Sequence, residues 1–509
     1  MSAVRLALVG LVLTRTLAAQ TPHLGSIDFP NSGAAAAQPA FIRGVLLLHS
    51  FEYGQATAAF REAERIDPGF AMAYWGEALT YTHPVWNQQD AGAGRAALQR
   101  LAATAAARRA RAPTARERAY LDAVETLYGS GTKAARDTAY SLAMGRLAAR
   151  FPTDLDAKVF YAASLLGLNQ GERDTVTYLR AAAILEQVFR KAPSHPGAAH
   201  LLIHCYDDPG HARLGLAAAR AYAGIAPDAP HAHHMTTHIF LALGMWDEVV
   251  SQNEIAAGAD RASWTPTHYT YWLGYGYLQQ GRYGEALRHL ELVHRNMAIA
   301  HGNVPALLVE MCGDYIVTTE RWDSPCLGWT DVDLSGMRTR DEALGAFLQG
   351  FSALKRGDRA SAERQLATIV ALVPPLRGQG PMGDPVPAIL GDELRGLLHQ
   401  SNGDPTGAVT SLRRAAALED AMPFEFGPPV TVKPSHELFG EVLLQAGRAR
   451  DAQVEFTRAL RLAPKRTRSL IGLARAARAA GDSSTAARAT ADLQSIWHAA
   501  DPGVLATAR

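Results

Sequence analysis

Residues 44–68 read GVLLLHSFEYGQATAAFREAERIDP, and residues 440–464 read GEVLLQAGRARDAQVEFTRALRLAP. The two stretches share one skeleton. The first carries Gly44, Leu47, Ala56, Phe60, Ala63 and Pro68. The second carries Gly440, Leu443, Gly447, Ala452, Phe456, Ala459 and Pro464. Small residues at these spacings let two helices approach closely, and the closing proline stops the second one. Working outward, LGYGYLQQGRYGEALRHLELV at 273–293 and GFSALKRGDRASAERQLATIVALVP at 350–374 are further copies, with weaker ones starting near Asp392 and Thr467.

This Gly…Ala-x-x-x-Phe…Pro pattern resembles the tetratricopeptide repeat (TPR) superfamily, most specifically over 40–90, 196–300 and 343–500. The resemblance implies an all-α solenoid: a right-handed superhelix of about eleven to twelve helical hairpins over 40–500. The array is expected to be irregular at 92–150, where Thr114-x-x-Glu117 reads as a capping box. It is also expected to be broken by loops at 374–388 and 420–435, which are rich in Pro and Gly. The phrases AMAYWGEALTYTHPVW, HPGAAHLLIH and HHMTTHIF are similar to those of exported bacterial TPR proteins, a resemblance that implies a fold and no reaction.

The chain has 509 residues and a formal net charge of +1. That balance offers no basic patch for nucleic acid. Residues 1–19, with Arg5, the apolar run LALVGLVL and the small residues of TLAAQ, read as a secretory signal peptide. This predicts a periplasmic or extracellular protein with a linker at 20–39 and a tail at 501–509. No other segment is apolar enough to span a membrane. Of the three cysteines, Cys312 and Cys326 are the nearer pair for a disulfide, and Cys205 is left as a soft ligand or a small buried residue.

Between 195 and 238 lie eight of the 18 histidines: His195, His200, His204, His211, His231, His233, His234 and His238. His200 and His204 are four apart, as are His234 and His238, so each pair shares one helix face. The second pair follows the first by 34 residues, the length of one TPR unit. In TPR folds, places two, five and nine of each repeat face the concave groove. Those places hold Gly197, His200 and His204; then His231, His234 and His238; then His268, Tyr271 and Tyr275; and, in a register anchored on Trp322, Leu307, Glu310 and Asp314. Trp75, Leu79 and His83 form an earlier stripe. Glu437 and Glu441 fall at groove places near the end, beside Lys433 and His436. A superhelix that curls would bring these ends to face the histidines.

Neutral imidazoles on neighbouring helices can share one transition ion, such as zinc, copper or iron. The sequence therefore predicts metal ligands at His200, His204, His234 and His238, with His231, His268 and His83 as secondary candidates. Trp75, Tyr271 and Tyr275 are predicted to line a ligand-binding groove. Two other readings stay open. One is a metal-free TPR scaffold that binds a peptide or protein segment. The other is a metal-dependent hydrolase with its base among Glu310, Asp314, Glu437 and Glu441. His200-Leu-Leu-Ile-His204 and His234-Met-Thr-Thr-His238 lack the glutamate of an HExxH motif, and no P-loop, dinucleotide-binding glycine fingerprint or Gly-x-Ser-x-Gly elbow is present. His23, His49, His289, His399 and His498 read as isolated surface or core groups.

Overall fold

The structure is a computed structural model that describes residues 22–169, 173–258, 266–297, 304–330, 333, 337–373 and 384–508. The signal-peptide stretch 1–19 and most of the expected loop at 374–388 lie outside the described residues. The described part of that loop is short, because a helix begins at Val386.

Among the described residues twenty-five α-helices follow one another. Among the described residues the only sheet is a two-stranded ribbon, Thr82–His83 against Gln88–Gln89. Successive helices pack as antiparallel hairpins, for example Gln38–His49 with Tyr53–Ile66, Pro196–Tyr206 with Ala212–Ile225, Pro230–Ala242 with Trp246–Ala257, and Ser435–Gln445 with Ala449–Leu462. This is an all-α solenoid of helical hairpins. Residues 91–150 are helical too, and Thr114 and Glu117 form the expected capping box. Residues 421–434 run without helix between Asp420 and Ser435.

The shared skeleton has a steric cause. Phe60 lies against Gly44 of its own hairpin and Gly76 of the next, where an added Cβ would come within 2.8 and 2.3 Å of its ring. Phe456 lies in the same way against Gly440 and Gly472, at 3.0 and 2.1 Å. One aromatic ring thus wedges between three helices, and two glycines make the room for it.

The solenoid closes on itself. At the N-terminal end, the Tyr222 hydroxyl meets Ser50 Oγ at 3.1 Å, and the His231 backbone amide donates to Glu52 at 3.2 Å. At the C-terminal end, the Thr467 amide donates to Gln279 Oε1 at 2.9 Å and the Trp497 indole to the Gln279 carbonyl at 3.0 Å. The repeats between 196 and 295 are therefore clasped from both sides. Residues 22–37 do not hang free as a linker: Leu24 and Phe29 are buried, and Ser26 Oγ meets Ser194 Oγ. The tail is tied as well, since the Asp501 carboxylate accepts the Gly284 amide at 2.7 Å. Cys312 and Cys326 are joined, and Cys205 is free and buried.

Gly76→Ala is expected to destabilise the chain by about 1–3 kcal/mol through overpacking against Phe60. Adding Phe60→Leu should recover part of that loss. Urea unfolding of the two single variants and the double variant checks this; additive losses would show that ring and glycine do not interact.

Candidate metal centre

Helix Pro196–Tyr206 starts with proline at its first position and places His200 and His204 one turn apart on its inner face. Helix Pro230–Ala242 starts the same way and carries His231, His234 and His238. The two helices bring His200 level with His231, with ring centroids 5.0 Å apart, and His204 level with His238, at 6.0 Å.

His200 Nε2 lies 3.2 Å from His204 Nε2 and 3.2 Å from His231 Nε2. The three ligand atoms lie within 4.8 Å of one another. His234 Nε2 and His238 Nε2 form a separate pair, also 3.2 Å apart. The four expected ligands thus do not meet at one point; the trio takes His231 in their place. The reason is register. His234 faces the following helix, where its ring stacks on Tyr269 at 4.0 Å and meets Trp272 at 4.8 Å.

Hydrogen bonds define the tautomers. His200 Nδ1 faces the His49 carbonyl at 2.7 Å, and a carbonyl only accepts, so Nδ1 donates and Nε2 keeps its lone pair. His238 Nδ1 donates to the Asp207 carboxylate at 2.5 Å. His234 Nδ1 donates to Asn253 Oδ1 at 3.0 Å, while Asn253 Nδ2 donates to Thr237. His234 and His238 therefore point two lone pairs at each other. His200 points one lone pair at two imidazoles, of which it can accept from only one. His231 Nδ1 contacts the Tyr269 hydroxyl at 2.8 Å. A cation between such nitrogens relieves the repulsion. Two nitrogens bound at about 2.0–2.1 Å in a tetrahedral site are about 3.3 Å apart, which matches the observed spacing. Asp207 behind His238 and the carbonyl behind His200 are the outer partners that orient metal-binding imidazoles.

The expected open groove is not what surrounds these rings: all five are buried. The turn after helix Gln38–His49 covers them. Phe51 packs its ring at 4.3 Å from His200, 5.7 Å from His204 and 5.9 Å from His231. It does so with φ +55°, a left-handed conformation. The equivalent turn in the repeat at 440–464 uses Gly447, with φ +75° and the same backbone bond that Glu52 makes to Leu47, here from Arg448 to Leu443. A left-handed non-glycine costs about 1–2 kcal/mol. Aromatic contacts worth about 0.5–1.5 kcal/mol per pair offset it.

Burial makes four of the rings poor bases. Desolvation pushes His200 down to about 3 and lowers His204, His231 and His234 well below the usual histidine value. Neighbouring imidazoles lower them further. Desolvation likewise takes His268 down to about 4.

The other expected site residues divide. His268 stands edge-on to His234 at 4.6 Å but is not part of the trio. His83 stacks on Tyr53 at 3.9 Å, one aromatic layer behind Phe51. Trp75 is no groove residue: it sits in the core between Phe29, Tyr120 and Phe160. Tyr275 lines a cavity of about 580 Å³ together with His238, Asp207, Arg173 and the segment 422–430. Its hydroxyl accepts from Arg466 at 3.0 Å. Tyr271 lies beside Asp314, behind that wall.

The hydrogen bonds of the five rings go to His49, Asp207, Asn253, Tyr269 and one another, and to none of the four candidate carboxylates. Glu437 is fully buried in an ion pair with Arg466 at 2.9 Å and Lys433 at 3.1 Å, and accepts from Ser469, which suits a structural anchor rather than a base. Glu441 pairs with Lys433 at 2.6 Å. Desolvation raises Asp314 and Glu310 to about 7 each. Cys205 is buried, which pushes its thiol up, and it is not among the residues that converge with the trio.

Five participants escaped the sequence reading: Phe51, Asp207, Asn253, Tyr269 and Trp272. Asp207 stands three residues after His204 and carried that signal. Phe51 and Asn253 carried none.

No family model and no curated protein matches the chain. Among solved structures it is similar to the APC/C hetero-tetramer Cut9–Hcn1, with a TM-score of 0.34 and 12% identity over 87% of this chain and 77% of that one. It is also similar to the human IFIT1 dimer with PPP-AAAA, with a TM-score of 0.38 and 13% identity over 91% of each chain. Yeast Tom70 matches with a TM-score of 0.27 and 12% identity over 91% of this chain and 92% of that one. Likenesses at this level carry no argument about function.

Because burial lowers the histidine pKa values in the folded chain, the unfolded chain takes up protons first as pH falls below about 6.5. The stabilising effect of neutral rings is present above that value and is lost towards the folded-state values, at about 1.4 kcal/mol per pH unit for each such ring. The urea midpoint of metal-free protein should drop steeply from pH 7 to pH 5, and less steeply in His234→Gln. A flat profile would contradict the buried neutral cluster.

Proposed function

We propose that this chain is a TPR-type scaffold that holds a transition metal on His200, His204 and His231. The His234–His238 pair extends the centre to the wall of the ligand cavity. The observation that carries the reading is the set of convergent Nε2 atoms 3.2 Å apart, with the lone pairs of His200 and His234 set by Nδ1 hydrogen bonds to the His49 carbonyl and Asn253. All-imidazole ligation suits zinc, copper or iron. Bound there, an ion supplies Lewis acidity or redox chemistry beside a cavity whose size fits a small molecule or a short peptide segment. His238 borders that cavity and Asp207 holds its ring in place.

The Phe424 and Phe426 rings are exposed at 41% and 45% on the segment that borders the cavity. They favour a second reading, in which the scaffold takes a peptide or protein segment there without metal. The leader-like residues 1–19 and the Cys312–Cys326 disulfide support an exported location, where disulfides persist. No helix of the described residues is long and apolar enough to cross a membrane.

Untagged protein dialysed against zinc should retain it stoichiometrically, and His204→Ala with His231→Ala together should lose the ion bound by the trio while keeping the helical spectrum. Chelation should lower the thermal midpoint, since an ion present at a thousandfold its Kd stabilises by about 4 kcal/mol. A chain that takes up no zinc, copper or iron, yet still binds peptide, would leave the metal-free scaffold as the function.

A further inference from the structure

We infer that His49, Asp156 and His195 form a second metal site, separate from the trio. They are two imidazoles and one carboxylate suited to a divalent transition ion. Three distant parts of the chain build it. His49 ends helix Gln38–His49, Asp156 lies in the first turn of helix Leu155–Leu166, and His195 caps helix Pro196–Tyr206. His49 Nε2 lies 2.8 Å from Asp156 Oδ1, and His195 Nε2 lies 3.4 Å from the same oxygen. One ligand atom from each of the three falls within 4.8 Å of the others.

Two observations point to a ligand. The first is His195, 2% exposed, with no hydrogen bond to either ring nitrogen. A buried imidazole left in this state costs free energy that a bond to an ion returns. The second is the charge of Asp156. It is buried, and among the described residues its ion-pair partners are His49 and His195, with no lysine or arginine. A buried carboxylate beside two imidazoles lacks a fixed positive partner, and a divalent ion supplies one.

The surroundings make room. A Cβ on Gly197 would lie 2.4 Å from His49 Nδ1, so the glycine is what lets the ring in. Phe160 stacks on the other face of His49 at 4.8 Å. A cavity of about 60 Å³ borders His49 on the side lined by Phe160 and Val159, and Asp156 and His195 do not line it. Two histidines and one carboxylate with open positions suit iron(II), and also cobalt(II) or zinc. The two sites meet at one residue but use different atoms. The His49 ring serves the second site, while the His49 carbonyl accepts from His200 in the first.

The test is equilibrium binding of cobalt(II), and of iron(II) without oxygen, to the full untagged chain, read as equivalents bound. Asp156→Asn and His195→Gln should each lower the number bound by one. His204→Ala with His231→Ala should lower it by a different one, and the combination should remove both. His195→Gln leaves the 2.8 Å bond between His49 and Asp156 in place, so it remains informative should Asp156→Asn fail to fold. Binding unchanged by His195→Gln overturns the second site, whatever the trio variant does. Loss of an equivalent in His195→Gln alone supports the second site and counts against the trio.

Discussion

Dryness is the condition on which the centre of this molecule depends. Five imidazoles stand on two neighbouring helices, and the ends of the solenoid fold over them. With water excluded, His200, His204, His231 and His234 are held neutral, because a charged ring there would forgo hydration without gaining a carboxylate of its own. A neutral imidazole has one donor and one acceptor. Once the His49 carbonyl, Asp207 and Asn253 take the donors, the acceptors are left facing one another. Such an arrangement is poor packing by itself and good ligation around a cation.

The rest of the architecture serves that enclosure. Phe51 occupies a left-handed turn where a later repeat has Gly447, and the ring that makes the turn costly is the one that covers His200, His204 and His231. Arg466 plays the corresponding part at the other end. It is fully buried, pairs with Glu437 and donates to Tyr275, so the C-terminal repeats are latched onto the cavity wall. Breaking such a pair on one side strands a charge in the interior, which typically costs about 3–5 kcal/mol. Glu437 and Glu441, which share a helix face and both reach Lys433 in the segment just before that helix, are therefore better explained as the latch than as acid–base groups.

The pair of clusters also separates two kinds of histidine. His289 stands beside the Thr270 carbonyl, and His233 is held between Gln252 and the Pro227 carbonyl. Each of these rings is satisfied by ordinary partners. His200, His204 and His231 turn their Nε2 atoms on one another, and neither ring nitrogen of His195 is hydrogen-bonded. The distinction lies in what the nitrogens face, and not in burial or in residue type.

The sequence by itself determined the repeating unit. The Gly, Ala, Phe and Pro spacing is a local steric requirement: Phe60 and Phe456 need small residues at fixed offsets, so the pattern survives in one dimension. The same holds for the two histidine pairs, since a spacing of four on a helix already places both rings on one face. Tertiary structure decided everything that depends on register and closure. Whether His231 or His234 joins His200 turns on how two helices slide past each other by one turn, which residue spacing within one helix does not specify. Burial of the rings, the core position of Trp75, and the meeting of His49, Asp156 and His195 follow from the solenoid closing on itself. Some of those contacts join residues more than a hundred positions apart, such as His200 with the His49 carbonyl and His49 with Asp156, and no local pattern records them.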